Sequence, residues 1–495
     1  MKTNVLYFGD NLEILRNREY FPDKCVDLIY LDPPFNSKKD YNILFKENGG
    51  VESEAQIKAF TDTWHWTQMA ADTYHDIVVN GPLKISKLIG ALHDAIGGND
   101  VMAYLVMMTA RLIELHRALK PTGSLYLHCD PTASHYLKLV LDQIFEPANF
   151  RNEIVWCYDT GGRSTTAFPR KHDIILCYGR TDKAAFYYDN VALSRDPSTM
   201  HETIVVDSDG RQYQRNIKAG KEYRYYLDKG VLPNDWWCDL QALNPAAKER
   251  LGYETQKPLA LLERIIKASS NEGDVVLDPF CGCGTALVAA QKLNRRWVGI
   301  DITHLAVALM EHRLYDSFGI EAEVIGVPKD VASARALSLQ KPDGRYQFQW
   351  WALSLIKARP LGEKKKGADK GIDGVITFKH DAKGTYRRVV VQVKSGHVGV
   401  NAVRELKAVA ANDAIGVLIT LEPPTGPMKV EAVEGGYYYS PTYHDRDYPK
   451  IQILTIGELL DGKTVDMPPQ TQTSVTFAKA QKITQKEGEQ LSMEQ

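Results

Sequence analysis

The chain has 495 residues, 44% of them hydrophobic and 25% charged, with 36 Gly and 23 Pro. At about 100–200 residues per domain this predicts two to four domains, large enough to bury a core without disulfide or metal staples. Sixty Lys+Arg against 62 Asp+Glu leave a formal charge of −2, which excludes a protein coated in basic charge and gives no hint of a nucleic-acid partner.

The start, MKTNVLYFG, runs directly into Asp10 and Asn11 without an apolar leader, and the longest apolar run, Val101 to Ala110, stops at Arg111, short of a membrane span. A cytoplasmic protein with no membrane partner is expected. Seven cysteines, at 25, 129, 157, 177, 238, 281 and 283, are odd in number and lack framework spacing. Free thiols are expected, and Cys281 with Cys283 lack the second ligand pair a zinc site needs.

Along the chain, strand-like apolar runs alternate with helical ones. VDLIYLD (Val26 to Asp32) predicts a buried strand, and SLYLHCD (Ser124 to Asp130) predicts another, followed by a helix over Ser134 to Phe145. DIILCYG (Asp173 to Gly179), DVVLDPF (Asp274 to Phe280) and RWVGID (Arg296 to Asp301) predict further strands. The alternation predicts an α/β fold with a parallel sheet covered on both faces. Two long stretches interrupt it. One, from about Asn36 to Asp100, centres on TDTWHW (Thr61 to Trp66), which is expected to pack; the other, from about 181 to 253, is rich in Arg, Lys, Tyr and Trp. Inserts of that length in an α/β domain are functional loops or small subdomains. After about Val331 a linker-like SLQKPDGR (Ser338 to Arg345) leads to a short helix and a strand-rich stretch, Gly371 to Leu421. The expected units are 1–330, made of a catalytic half 1–180, an insert 181–253 and a cofactor half 254–330, then a smaller unit 340–461 and a disordered polar tail 462–495.

Two motifs carry chemistry. In LDPPFN (Leu31 to Asn36) a buried strand ends at Asp32, at the carboxyl edge where open α/β sheets bind ligands. Pro33 and Pro34 remove two N–H donors, so the Asp32 carboxylate and Pro33 carbonyl form an acceptor pair suited to an exocyclic NH2, and Phe35 offers a stacking face. A strand-ending turn is the plain alternative. In LDPFCGCGTALVAAQKLNRRWVGID (Leu277 to Asp301) a strand ends at Asp278, Gly282 and Gly284 form a loop, a helix begins near Thr285, and Asp301 closes the next strand. That is a dinucleotide-type unit whose acid grips a ribose, but Ala286 and Leu287 stand where a third glycine is looked for. Adenosine without a pyrophosphate fits it better than NAD.

DPPF at 32–35 together with DPFCGCGT at 278–285 resembles the DNA amino-methyltransferases, with the catalytic motif before the cofactor motif, the permuted order of the β group. FPRKHDIILCYG (Phe168 to Gly179), TQKPLALLERII (Thr255 to Ile266) and GDNLEIL (Gly9 to Leu15) resemble further segments, so the likeness spans about Met1 to Phe318. It implies a Rossmann-like, S-adenosylmethionine-dependent methyltransferase fold acting on double-stranded DNA, with DPPF going mostly with adenine N6. Residue by residue it implies that Asp10 bonds the cofactor adenine and Asp301 its ribose. Asp278, Phe280, Gly282, Gly284 and Thr285 would lie along the methionine moiety, closed by Gln256 and Lys257. Asp32, Pro33, Pro34 and Phe35 would hold a flipped base. Two acceptors drawing on the amine hydrogens free a lone pair otherwise delocalised into the ring. Pairing of two copies is also a family habit, although no heptad or apolar patch marks it here.

Target reading is expected from Arg211, Arg215, Lys218, Lys221 and Arg224, interleaved with tyrosines, with Lys38 and Lys39 tracking the backbone. A solvated hairpin is the alternative. Farther on, Asp373 precedes the strand VITF, and RRVVVQVKSG puts Gln392 and Lys394 on one face. This resembles the Mrr-like branch of the PD-(D/E)xK nucleases and implies Mg2+ at Asp373, helped by Gln392, with Lys394 activating water. Lys341 to Val400 holds thirteen Lys+Arg against five Asp+Glu. Gln392 in place of an acid, and Gln349 where such folds often supply a glutamate, depart from that pattern. The reading is therefore a site-specific adenine-N6 DNA methyltransferase with a nuclease-like domain in a restriction-modification setting. It leaves open an N4-cytosine enzyme with a non-cleaving domain, or a Mg2+-dependent nuclease with self-protective methylation.

Overall fold

The computed structural model describes residues 1–34, 40–46, 52–61, 65–159, 164–194, 204–244, 247, 249–251, 256–340, 344–361, 371–381, 385–412, 415–441, 447–468 and 480–483. Phe35, Lys38 and Lys39 lie outside the described residues, as do Lys364, Lys365 and Lys366.

Nine strands form one sheet. They are β1 (Val5–Phe8), β2 (Val26–Leu31), β3 (Leu119–Cys129), β4 (Phe150–Cys157), β5 (His172–Gly179), β6 (Trp236–Trp237), β7 (Val275–Asp278), β8 (Arg296–Asp301) and β9 (Glu323–Ile325). Their order is β6-β4-β5-β3-β2-β7-β8-β1-β9. Only β5 runs against its neighbours; every other pairing is parallel. From β2 the chain moves outward to β3, whereas from β7 it moves to β8 on the opposite side. β2 and β7 therefore flank the point where strand order reverses, and a crevice opens there at their carboxyl ends. The predicted strands fall on β2, β3, β5, β7 and β8, and the helix Ser134–Phe145 forms as the spacing predicts.

The first interruption is largely helical: Gln68–Asn80, Leu83–Ile96 and Asp100–Ala118, with the paired strands Asp40–Lys46 and Glu52–Thr61 before them. Every residue from Met102 to Leu112 is buried, so the longest apolar run is a core helix. Trp66 packs on Tyr74 and His93. Among the described residues no helix is long and apolar enough to cross a membrane. The second interruption carries a three-stranded antiparallel sheet, Ile204–Val206, Gln212–Lys218 and Lys221–Tyr226.

A second sheet has the order Arg359–Pro360, Gly374–Lys379, Tyr386–Lys394, Ile415–Thr420, Ile451–Thr455. Val389, Val391 and Val393 face one buried cluster and Val390 the other, as period-two alternation requires. Of the linker-like segment 338–345, Ser338 and Leu339 end the helix Val331–Leu339 and Gly344 and Arg345 open the helix Gly344–Leu355, and both helices pack into this second core. The seam with the first sheet is tight. Phe8 of β1 packs on the second core and lies 4.5 Å from the His304 ring, and Gln347 Oε1 accepts the His304 N–H at 3.1 Å. His304 itself is buried with neither ring nitrogen bonded among the described residues. Of the polar stretch after 461, Val465 packs into the second core and Ile483 against the first.

Candidate active site

β2 is apolar on both faces because helices cover both sides of the sheet, and it delivers Asp32 to the crevice. Pro33 and Pro34 follow, both buried. The Asp32 carboxylate is gripped by Lys257 Nζ, 2.9 and 2.7 Å from its two oxygens. Lys257 stands just before the helix Leu259–Ser269, whose apolar face packs on the neighbouring helix Thr285–Lys292 and so fixes its reach. Gln256 serves its own segment, accepting from Leu251 N at 2.8 Å and donating to the Glu249 carbonyl at 2.7 Å.

β7 brings Asp278 beside Asp32. Asp278 is buried and accepts from Phe280 N at 3.1 Å. Burial pushes its carboxyl well above the usual range; the Phe280 amide and Lys257 oppose this, while Asp32 and Asp301 add to it. Gly282 and Gly284 both take positive φ, 49° and 75°. A side chain at Gly284 would also stand 2.8 Å from Met310, so backbone and packing both require glycine there. Thr285 opens the helix and, with the Cys283 carbonyl, accepts from the buried Arg313. The Cys281 thiol points inward to the Ile300 carbonyl, and no cluster of metal-holding side chains exists among the described residues.

Asp301 accepts from Gly282 N at 2.9 Å and from Thr303 N at 2.8 Å, tying the strand end to the Gly loop. Burial pushes its carboxyl up to about 6, against those bonds. Asp10 caps the helix Asn11–Arg16 by accepting from Leu12 N at 2.7 Å, and pairs with Arg111 at 2.9 Å. Four carboxylates, those of Asp10, Asp32, Asp278 and Asp301, and a bulk-free glycine turn thus share one sheet edge, a donor and acceptor set that fits an adenosine carrying no pyrophosphate.

In the insert, Arg211 pairs with Asp228 and stacks on Tyr226, its centre 4.2 Å from the ring. Arg224 and Arg215 both reach Glu222, at 2.8 and 3.2 Å. Lys221 lies over Tyr223, and Lys218 faces it across a turn whose Ala219 and Gly220 both have positive φ. Arg211, Arg215, Lys218, Lys221 and Arg224 therefore share one exposed hairpin, the three arginines braced by Asp228 and Glu222.

In the second sheet Asp373 sits one residue before Gly374, which pairs with Val391, so it lies beside Gln392. Its carboxylate accepts from Val393 N at 2.6 Å, and burial pushes it up to about 6. Gln392 is buried with Oε1 unbonded among the described residues, and Lys394 ends the strand. One carboxylate, already engaged, and one amide oxygen make a poor set for Mg2+, which is usually held through carboxylates in octahedral geometry.

The family described as DNA methylase, of the N6/N4 type, matches residues 26–311. The chain belongs to that family. Within residues 349–461 this methylase also matches the family described as NACHT-associated inactive restriction endonuclease 1. The type II methyltransferase M.HpaI of Haemophilus parainfluenzae is 30% identical over 243 residues, 49% of this chain and 68% of that protein. The DNA adenine methyltransferase YhdJ of Escherichia coli (strain K12) is 27% identical over 314 residues, 63% of this chain and 83% of that one. Among solved structures, the PvuII DNA methyltransferase, described as cytosine-N4-specific, is similar at a TM-score of 0.38 and 15% identity, over 63% of this chain and 86% of that chain.

Two groups that sequence reasoning passed over stabilise the methylase edge. Arg111, 3% exposed in its side chain, bonds Asp10 and Asn11, and Asn11 in turn donates to the Pro279 carbonyl at 2.7 Å. One cation thereby links the GDN segment to the DPF loop. Its signal was a lone arginine closing an apolar helical run. The other is a buried chain: Tyr30 OH to His128 Nδ1 at 3.0 Å, His128 Nε2 to Asp173 at 3.0 Å, and Tyr158 OH to Asp173 at 3.1 Å. Burial works against the Asp173 carboxylate, yet His128, Lys257 and Tyr158 hold it below the usual range. Polar residues at inward positions of otherwise apolar strands were the available clue.

Proposed function

We propose that this methylase modifies specific DNA sites at the exocyclic N6 of adenine, after the base has left the duplex. One observation carries the reading: an acceptor pair, Asp32 and the Pro33 carbonyl, stands at the strand-order reversal next to the Gly loop. S-adenosylmethionine, when bound, supplies a methyl group on a cationic sulfur. The chain's own residues do the rest. Asp32 and the Pro33 carbonyl accept hydrogen bonds from the two amine hydrogens, orient the nitrogen and stabilise the positive charge that grows on it, and the methylated nitrogen then releases one proton to solvent. Holding the reacting groups in line contributes by proximity. Lys257 bonds both Asp32 oxygens, and the incoming amine exchanges with it for the carboxylate. The hairpin cations Arg211, Arg215, Lys218, Lys221 and Arg224 engage phosphates and guanine edges, exchanging internal partners for DNA. DPPF and the adenine-specific relative favour adenine.

For the second domain we propose DNA holding without cleavage, because Asp373 and Gln392 do not fit a Mg2+ ion. The test transfers radioactive methyl from the cofactor to duplex DNA and digests the product to nucleosides. N6-methyladenine is expected; N4-methylcytosine would replace the base assignment, and absence of label would end the reading. Wild-type chain with Mg2+ and unmethylated plasmid is expected to leave the plasmid uncut.

A further inference from the structure

We propose that Phe168 is the wedge that enters the base stack when the target base swings out. The inference rests on the DNA-methylating reading above and adds the residue that fills the space left behind. β5 runs antiparallel to both β3 and β4. The carboxyl end of β4 and the amino end of β5 therefore open on the edge that holds Asp32, and the described parts of their connection, 158–159 and 164–171, start from that edge. Its neck is tied down. Tyr158 N donates to the Lys171 carbonyl at 3.0 Å, Lys171 Nζ to the Asp159 carbonyl at 3.0 Å, and Tyr158 OH to Asp173 at 3.1 Å. Asp173 continues through His128 to Tyr30 on β2, two residues before Asp32. The neck is thus braced against the strand that carries the acceptor pair.

The tip is built differently. Every residue from Ser164 to Arg170 is exposed, and Phe168 is 98% exposed, where no other large hydrophobic among the described residues exceeds 74%. Single exposed apolar side chains are ordinary, so exposure alone decides nothing. Its surroundings do. Ser164, Thr165, Thr166 and Ala167 before it are small and leave room around the ring. Pro169 after it restricts the Phe168 backbone to extended conformations and so limits where the ring can point. Arg170 next to it supplies an exposed cation of the kind that pairs with phosphate. A base that leaves the duplex deprives its neighbours of stacking on both sides, and a flat apolar side chain in the gap restores part of it.

The test first maps the methylated site by methylation-sensitive sequencing of a host expressing the full chain. Wild type, Phe168→Ala and Phe168→Trp are then compared on a duplex carrying that site, and on the same duplex with an abasic residue opposite the target base. The second duplex no longer holds the target by pairing, so a wedge matters less there. On the paired duplex Phe168→Ala is expected to lower kcat/KM by about 10- to 100-fold. On the abasic duplex it is expected to stay close to wild type, and Phe168→Trp to retain most activity on both. Fluorescence of 2-aminopurine at the target position should rise on binding wild type and rise less with Phe168→Ala. Titration calorimetry with S-adenosylhomocysteine should give the same affinity for all three proteins. An equal loss on both duplexes, no loss on either, or a changed cofactor affinity overturns the wedge alone. A wild-type chain that labels no DNA overturns the methylating reading and the wedge with it.

Discussion

Each of the two sheets sets an acid against a strand end, yet the two acids keep very different company. Asp32 meets Lys257 on both oxygens, and nearby Asp10 and Asp301 have Arg111, Gly282 and Thr303 as partners. Asp373 has one backbone amide and the charge of Lys394, and sits beside an amide oxygen that accepts nothing among the described residues. The difference teaches that position at a strand end does not make a reaction site. What does is the set of cations and donors that orient a carboxylate, because each polar atom left without a partner in the interior is costly.

The largest expected effect tests the methylase side of that contrast. Arg111→Met takes the partner from the half-buried Asp10 carboxylate and the buried Asn11 amide oxygen and should lower stability by about 3 kcal/mol. Denaturant unfolding of the full chain measures it, and a double cycle with Asp10→Asn should show strong non-additivity. Next comes chemistry. Asp32→Ala should cut methyl transfer by about 100-fold or more; the same change at Asp373 should leave transfer intact. If both variants lose transfer equally, the contrast between the two acids is wrong.

The seam gives a pH test. Burial takes His304 down to about 3, below the unfolded value near 6.5, so the folded state holds it neutral. Its contribution to stability is complete above that unfolded value and is lost as pH falls toward 3. His304→Leu should therefore flatten the acid limb, gaining about 2 kcal/mol over wild type at pH 5. Asp373 runs the other way. Its folded value of about 6 lies above the unfolded one, so it favours folding at acid pH and loses that as pH rises through 6. Asp373→Asn should raise stability at pH 8 by about 1 kcal/mol, the smallest of these effects. A loss there would mean that the carboxylate has an ionic partner in solution.

Much of the methylase edge was readable beforehand. Asp32, Asp278 and Asp301 each close an apolar run, and a buried strand that ends in an acid announces itself by hydrophobicity alone. The glycines at 282 and 284 were readable because a positive φ demands them. Lys257 was placed on the cofactor side by resemblance, and its grip on Asp32 spans 225 positions of sequence, which no local pattern reports. The helices of 68–118 were underread, since their polar faces interrupt the apolar period before Val101. The hairpin cations were found, but not the acids Asp228 and Glu222 that brace them, because pairing across a turn depends on register.

By itself the sequence determined what is local: an α/β alternation, the acids at strand ends, the glycine turn, and a second unit with its own alternating strands. Apolar period and backbone permissiveness act over a few residues, so a linear reading recovers them. Only the tertiary structure decided the rest. It put β2 and β7 side by side, drew Arg111 under the GDN segment, and left the His304 ring nitrogens without a hydrogen bond among the described residues in the seam between the domains. Those outcomes depend on strand order and on which charges share a low-dielectric interior, and neither is written in any short stretch of chain.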